Sequence, residues 1–340
     1  DNIENVTGWD DRYISNTFFD VVSMRRNIYN YISDGYTIPS ISSQVISGDP
    51  INNMLSNTHG HDPIFNSVVK NEQVVGDKLK IVVKDDVFVW TQNGEDIDGE
   101  AEGDRSGGSV SLSSDGSIVA IGAYDNDGVN GLYSGHVRVY EWNGSAWVQR
   151  GGDIDGEATG DRSGWSVSLS SDGGIVAIGA YDNDGVNGDY SGHVRVYEWN
   201  GSTWVQRGGD IDGEAQGDYS GQSVSLSSDG GIIAIGAYYN DGVNGFYSGH
   251  VRVYEWNGSA WVQRGGDIDG EAEYDQSGRS VSLSSDGGIV AIGAVFNGTR
   301  SGHVRVYEWN GSAWVQRGGD IDGEAEDDDS GHSVSLSSDG

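Results

Sequence analysis

The chain contains no cysteine and only three prolines, and it is poor in positive charge, with 19 Lys and Arg against 53 Asp and Glu, a net charge of −34. Without cysteine there are no disulfides and no cysteine–zinc sites; the compartment stays open, because secreted proteins need not use disulfides. The acidic surplus repels phosphate backbones and so excludes nucleic-acid binding. It attracts cations and suits a salty medium, where screening shortens self-repulsion to a few ångströms. No run of about 18 apolar residues occurs, so no segment reads as a membrane-spanning helix. No serine, histidine and carboxylate set stands outside the repetitive part described next, so hydrolase chemistry has no support and the chain is read as non-enzymatic.

What is abundant is glycine, 55 residues, and repetition. A block beginning at Asp98 recurs at Asp155, Asp212 and Asp269, each time after 57 residues, and again at Asp322 after 53. A fixed period of this size means stacked or radially arranged units. Each copy holds four β-type runs, seen in the second copy as Ser166–Ser171, Ile175–Ala180, His193–Trp199 and Thr203–Gly208. The first alternates Val167 and Leu169 with serines. The second is nearly all apolar and is expected to be buried on both faces. Asn-Gly between the last two runs predicts a hairpin whose two central residues take φ > 0. Four short antiparallel strands per repeat make an all-β fold, a β-propeller of four-stranded blades. The four residues missing from the fourth copy fall in the loop at 295–300 between its second and third strands.

The order SG-x-SVSLSSDG-x-IVAIGAY…SGHVRVY resembles the FG-GAP repeat, the blade of integrin α-chain propellers and of many microbial surface proteins. The resemblance covers roughly residues 80–340. Two positions depart from it: Ser106, Ser163, Ser220, Ser277 and Ser330 stand for the Phe of FG, and Tyr124, Tyr181, Tyr238 and Val295 for the Pro of GAP. The calcium loop that the resemblance implies between strands 1 and 2 is reduced to Ser-Ser-Asp-Gly, so no calcium is carried over there.

Residues 80–340 are thus read as four complete blades with partial blades at both ends. VFVWTQNG, from Val87, resembles a fourth strand, and KLKIVV, from Lys78, a third, with Lys84-Asp85-Asp86 as their turn. Ser333–Gly340 supplies a first strand. The ends could pair into a composite fifth blade. The favoured expectation is a larger ring completed beyond this chain, of about seven blades as the resemblance implies. A start at Asp1 and a stop part-way through a repeat fit a processed or partial chain, a removed signal peptide being one explanation. Residues 1–79 form a separate head. Thr17–Ile32 has the spacing of one helical face, with Thr17 and Asp20 as a capping box and Gly35 as a stop. Tyr36–Val75, without a period, reads as an extended arm, either a cap on the array or an assembly arm.

Candidate sites follow from the repeat. Asn143, Asn200, Asn257 and Asn310 lie in Asn-Gly-Ser at hairpin tips, and Asn5 and Asn297 are further glycosylation sequons, usable on a eukaryotic secretory route. Calcium takes several oxygen ligands, which two acidic sets offer. One is the DIDGE turn, as in Asp153, Asp155 and Glu157; the other is Asp125, Asp127 and Asn130, repeated at Asp182, Asp184 and Asn187. The histidines His136, His193, His250 and His303 open the third strands, and a ring spaces them apart, so they read as strand-edge polar residues. The tryptophans at 142 and 147 and their copies are expected to pack between blades, with an aromatic sugar platform as the other use.

Differences between copies say more than identities, since duplication alone explains identity. They cluster at the lead-in to strand 1: Gly108, Trp165, Gln222, Arg279 and His332, and Arg105, Arg162 and Tyr219, followed by Gln276 and Asp329. In a propeller these positions ring one face, a contact surface for a partner. The expected function is an extracellular structural or adhesive repeat protein, a subunit of a cell-surface coat, appendage or filament. Its partners would be other protein subunits. The alternatives are a monomeric ligand- or glycan-binding, lectin-like propeller, a viral fibre component, and an enzyme whose active site lies elsewhere in a longer chain.

Overall fold

The computed structural model describes residues 91–340, and the backbone of two strands before them, β1 (Val69–Val75) and β2 (Lys78–Val83). The chain divides into two compact units at Thr91/Gln92. In the first, β1 and β2 form an antiparallel hairpin in which Val75 pairs with Lys78. The arm expected up to Val75 is therefore a strand in its last seven residues. KLKIVV is a strand as expected, but its partner is β1. The two residues that join them, Gly76 and Asp77, are a dipeptide that favours hairpins. The helix expected at 17–32, the sequon at Asn5 and the strand expected from Val87 lie outside the described residues.

The second unit is all-β, with a four-stranded antiparallel blade every 57 residues or so. Blade 1 comprises β3 (Ser109–Leu112), β4 (Ile118–Ala123), β5 (His136–Trp142), β6 (Trp147–Gln149) and β7 (Ile154–Asp155). Blade 2 runs through β8 (Ser166–Leu169), β9 (Ile175–Ala180), β10 (His193–Trp199), β11 (Trp204–Gln206) and β12 (Ile211–Asp212). Blade 3 is β13 (Ser223–Leu226) to β17 (Ile268–Asp269), and blade 4 is β18 (Ser277–Leu283) to β22 (Ile321–Asp322). Neighbouring strands pair in chain order.

The fourth strand of each blade is broken in two. In blade 2, β11 pairs with the end of β10, Tyr197 against Gln206, and β12 with its start, Val194 against Ile211. Between these pairs β10 advances three residues and its partner five, so Arg207–Asp210 bulges, with Gly208 at φ 84°. The Asn-Gly hairpin differs from expectation. Trp199 pairs with Trp204, which leaves a four-residue loop. Only Gly201 is left-handed; Asn200 instead accepts the amides of Ser202 and Thr203 at 2.9 and 3.0 Å, an Asx turn. In blade 4 the shortened loop becomes one helical turn, α1 (Asn297–Arg300), and the third strand, His303–Trp309, keeps its seven residues.

The core lies between blades. Ile118, Ala120, Val137, Val139 and Ile154 of blade 1 meet Leu169, Val176 and Ile178 of blade 2, with Tyr197 and Trp204 packed against them. Two further clusters repeat this at the next junctions. The second strand is apolar at every position because one side faces the previous blade and the other the next; Ile175–Ala180 is buried throughout. Serines complete the junctions. Ser111 Oγ accepts the amide of Leu169, Ser168 Oγ that of Leu226 and Ser225 Oγ that of Leu283, at 2.9–3.0 Å. Alternating serines usually face water; here they tie first strands to one another. Trp204 donates Nε1–H to the carbonyl of Arg150 across the junction, as the expected inter-blade packing of the tryptophans requires.

Candidate functional site

Close backbone contact seats the variable lead-in residues. Ser163 forms a parallel bridge with Gly135 of the previous blade and is fully buried. A Phe at this position, as in the FG of the family, would find no room. Gly164 donates to the carbonyl of Gly179 at 3.1 Å, and its carbonyl accepts Ser109 Oγ at 2.7 Å. This anchor sets the next residue, Trp165, beside the tyrosines that end the second strands.

Those tyrosines, at the position of the family's Pro, carry a continuous aromatic line across three blades. Trp165 lies 4.7 Å from Tyr124 and 4.4 Å from Tyr181, between ring centroids. Tyr219 continues it, 5.8 Å from Tyr181, 5.9 Å from Tyr238 and 5.4 Å from Tyr239. Tyr247 is 4.7 Å from Tyr239, and Tyr274 5.9 Å from Tyr247. Guanidinium groups border the rings. Arg105 bonds the Tyr124 hydroxyl at 3.3 Å, Arg162 that of Tyr181 at 2.7 Å, and Arg279 stacks 5.1 Å from the centre of Tyr238. Burial pushes the Tyr181 hydroxyl up to about 12, so it remains a neutral donor.

The structure thus brings together Gly108, Arg105, Trp165, Arg162, Tyr219 and Arg279. Gly108 lies so near Tyr124 that a Cβ there would approach the ring to 2.5 Å. Gln222 is instead buried, its Oε1 without a partner, and His332 is exposed beside a blade whose Tyr position holds Val295. The sequence reading missed Tyr190, Tyr239, Tyr247 and Tyr274. The Tyr-Ser-Gly that precedes each of the first three histidines, and is lost before the fourth, was the available signal.

The backbone marks the same positions. Arg105, Arg162, Tyr219, Gln276 and Asp329 are all left-handed, at φ 49–55°. So are Tyr133, Tyr190, Tyr247 and Arg300, at φ 52–64°. They join across junctions: Arg162 donates its amide to Tyr133, Tyr219 to Tyr190 and Gln276 to Tyr247, each at 3.0 Å. Left-handed backbone suits glycine, and a larger residue there costs on the order of 1 kcal/mol or more.

The acidic sets do other work. Asp125 takes Arg105 at 2.8 Å and Arg162 at 3.5 Å, Asp127 accepts the amide of Tyr133, and Asn130 donates to the carbonyl of Gly156. In blade 2, Asp182 meets Arg162, Asp184 the amide of Tyr190, and Asn187 the carbonyl of Gly213. These sets are loop ties rather than convergent ligands. The DIDGE set divides. Asp153 groups with Glu100 and His136, while Glu157 groups with His193 and Asp210 of the next blade; Asp155 sits in β7, paired with His136. The histidines, expected at strand edges, are 1–2% exposed, and each converges on two carboxylates rather than on other histidines. Burial, then Arg195 and Arg252 respectively, lower His193 and His250 to about 4.

The hairpin asparagines Asn143, Asn200, Asn257 and Asn310 are exposed. Asn297 is not free in the same way: its Nδ2 donates to the buried Asp275 carboxylate at 3.2 Å, as that of Asn240 does to Asp218 at 3.0 Å.

Among solved structures the chain is similar to hydrazine synthase of Kuenenia stuttgartiensis, with 13% identity and a TM-score of 0.40 over 61% of this chain and 53% of that one. It is also similar to the periplasmic gluconolactonase of Pseudomonas aeruginosa, with 16% identity and a TM-score of 0.44 over 63% of this chain and 56% of that one. The chain therefore spans about half the length of these proteins, and likeness at this level says nothing of substrate or reaction. No curated protein matches it. Residues 211–254, from the end of blade 2 into the third strand of blade 3, match the FG-GAP repeat family, the one the blade sequence resembles.

Proposed function

We propose that this chain is a non-enzymatic structural or adhesive repeat protein of the cell surface, and that its aromatic face docks other protein subunits. One observation carries the reading. Left-handed backbone positions that glycine would fill without strain hold Arg, Tyr and Gln instead, and these side chains converge with the tyrosine line on one face. Strain kept at varied residues marks a surface retained for contact. Tyr and Arg are the residues that dominate protein interfaces. Tyr274, Tyr190 and Tyr247, 53%, 49% and 42% exposed, are the members a partner would reach first. The net charge of −34 supports a role in an ion-rich medium outside the cell.

Sedimentation velocity and electron microscopy of the full chain test this. Assemblies are expected from the native chain, and the Tyr190→Ser/Tyr247→Ser pair should dissolve them while leaving the circular dichroism unchanged. A native chain that stays monodisperse at high concentration would sink the reading. The second reading, a glycan-binding propeller, rests on two matching recesses of about 260 and 340 Å³. One is lined by Tyr140, Trp147, Asp96 and Asp98, the other by Tyr197, Trp204, Asp153 and Asp155. Retention of the monomer on a glycan column, lost in Trp147→Ala/Trp204→Ala, would favour it.

A further inference from the structure

Four equivalent side-chain clusters recur at the starts of the third strands: Glu100–His136–Asp153, Glu157–His193–Asp210, Glu214–His250–Asp267 and Glu271–His303–Asp320. In each, the ligand-capable atoms lie within 4.8 Å of one another. The imidazoles are buried, yet their Nδ1 atoms stand 3.8–4.0 Å from the glutamate Oε2 atoms, beyond hydrogen-bond range. His303 is the clearest case. Its Nδ1 is buried with no hydrogen-bond partner, aimed at Glu271 Oε2 at 3.9 Å and Asp320 Oδ2 at 4.0 Å. A buried ring nitrogen left unpaired costs on the order of 1–3 kcal/mol unless something fills the gap.

We infer that each cluster binds a divalent transition cation of the zinc class, one per blade, through one imidazole nitrogen and two carboxylate oxygens. The donor set is what such ions take, with a fourth position open to water. Ligands of a tetrahedral zinc ion sit ~3.4 Å apart. The imidazole–glutamate pairs need to tighten by about half an ångström and no ligand pair by more than about 1.4 Å, and the glutamates, 42–46% exposed, are free to move that far. The remaining carboxylate oxygens are already held. Gln149, Gln206, Gln263 and Gln316 donate to the aspartate Oδ1 atoms at 2.6–2.7 Å, and Arg138, Arg195, Arg252 and Arg305 stand 3.5–3.7 Å from the glutamate Oε1 atoms. Such outer partners orient the ligands.

Glu157 belongs to the loop after β7 of blade 1, whereas His193 and Asp210 belong to blade 2, so a bound ion would clamp consecutive blades. The test uses the full chain, stripped with EDTA and titrated with Zn²⁺ by calorimetry and with Co²⁺ by visible absorption. Up to four equivalents and a raised melting temperature are expected. Glu157→Gln should remove one equivalent without altering the circular dichroism. Glu198→Gln, which meets Arg207 at 3.8 Å outside the clusters, should remove none. Absence of a Co²⁺ band, or an unchanged stoichiometry in Glu157→Gln, would overturn the inference. So would binding of Ca²⁺ without Zn²⁺ or Co²⁺.

Discussion

Two glycines of blade 2 and its approach show how far a single Cβ matters. At Gly179 a Cβ would lie 2.1 Å from the carbonyl oxygen of Gly221, a backbone atom of the next lead-in that cannot give way. At Gly152 a Cβ meets nothing within 4 Å. Gly179→Ala is therefore expected to lower the urea-unfolding free energy by ~1–3 kcal/mol or more, whereas Gly152→Ala should stay within ~0.5 kcal/mol of the native chain. Equal effects would mean the blades are not held at this spacing. Trp165→Ala carries a stability cost although the residue lies on the face read as a contact surface. It loses two aromatic contacts worth ~0.5–1.5 kcal/mol each, so its melting temperature should fall. The exposed Tyr190 and Tyr247 are the cleaner probes of binding.

Among the elements, the turn between first and second strands is the most repeated device. Ser170 Oγ donates to Asp172 Oδ1 at 2.7 Å, Gly174 donates its amide to the same oxygen at 2.9 Å, and Ile175 donates to Ser170 Oγ. Asp115, Asp229 and Asp286 repeat this. The serine and amide donors hold Asp172 and Asp229 below the usual carboxylate range, and backbone and serine donors bring Asp115 to about 2. A carboxylate whose folded pKa is depressed stabilises the fold above its unfolded pKa of ~3.9, and that contribution is lost as pH falls through the folded value. Asp161 and Asp218, raised mainly by burial, act in the opposite sense and flatten the total. The Asp172→Asn/Asp229→Asn pair should thus be less stable than the native chain at neutral pH. The gap should close as the pH falls below the unfolded value of ~3.9 and on through the lowered folded values. Urea midpoints across that range decide it; a pH-independent gap would remove the carboxylates from the account.

For the whole molecule the question is what a blade owes to its neighbour. Leu112 and Leu169 hold the same place in blades 1 and 2. Leu169 is 7% exposed within the first inter-blade cluster, while Leu112 is 57% exposed. In a repeat array, stability is a sum of unit and nearest-neighbour terms. Leu169→Ala should cost ~2–5 kcal/mol and Leu112→Ala less than ~1 kcal/mol, measured by chemical denaturation. Similar losses at both sites would contradict the placement of the core between blades.

The presence of the strands, the bounds of the second and third, and the burial of the second were legible in the sequence because period-two alternation and apolar runs are local signals. The periodic block also revealed the variable lead-in positions, since equivalent residues of a repeat must share an environment. Other features depended on contacts between blades, at sequence separations near the repeat length. Nothing in the alternation of the first strand marks its serines as inter-blade ties, yet Ser168 Oγ accepts the amide of Leu226 of the next blade. Asp153 and Glu157 read as one acidic loop, yet the bulge before Ile154 and the turn after Asp155 send them to different histidines. A repeated sequence determines what each unit is by itself. Only the packing of one copy on the next decides which side chains meet, because every junction is built from two copies and neither holds the whole contact.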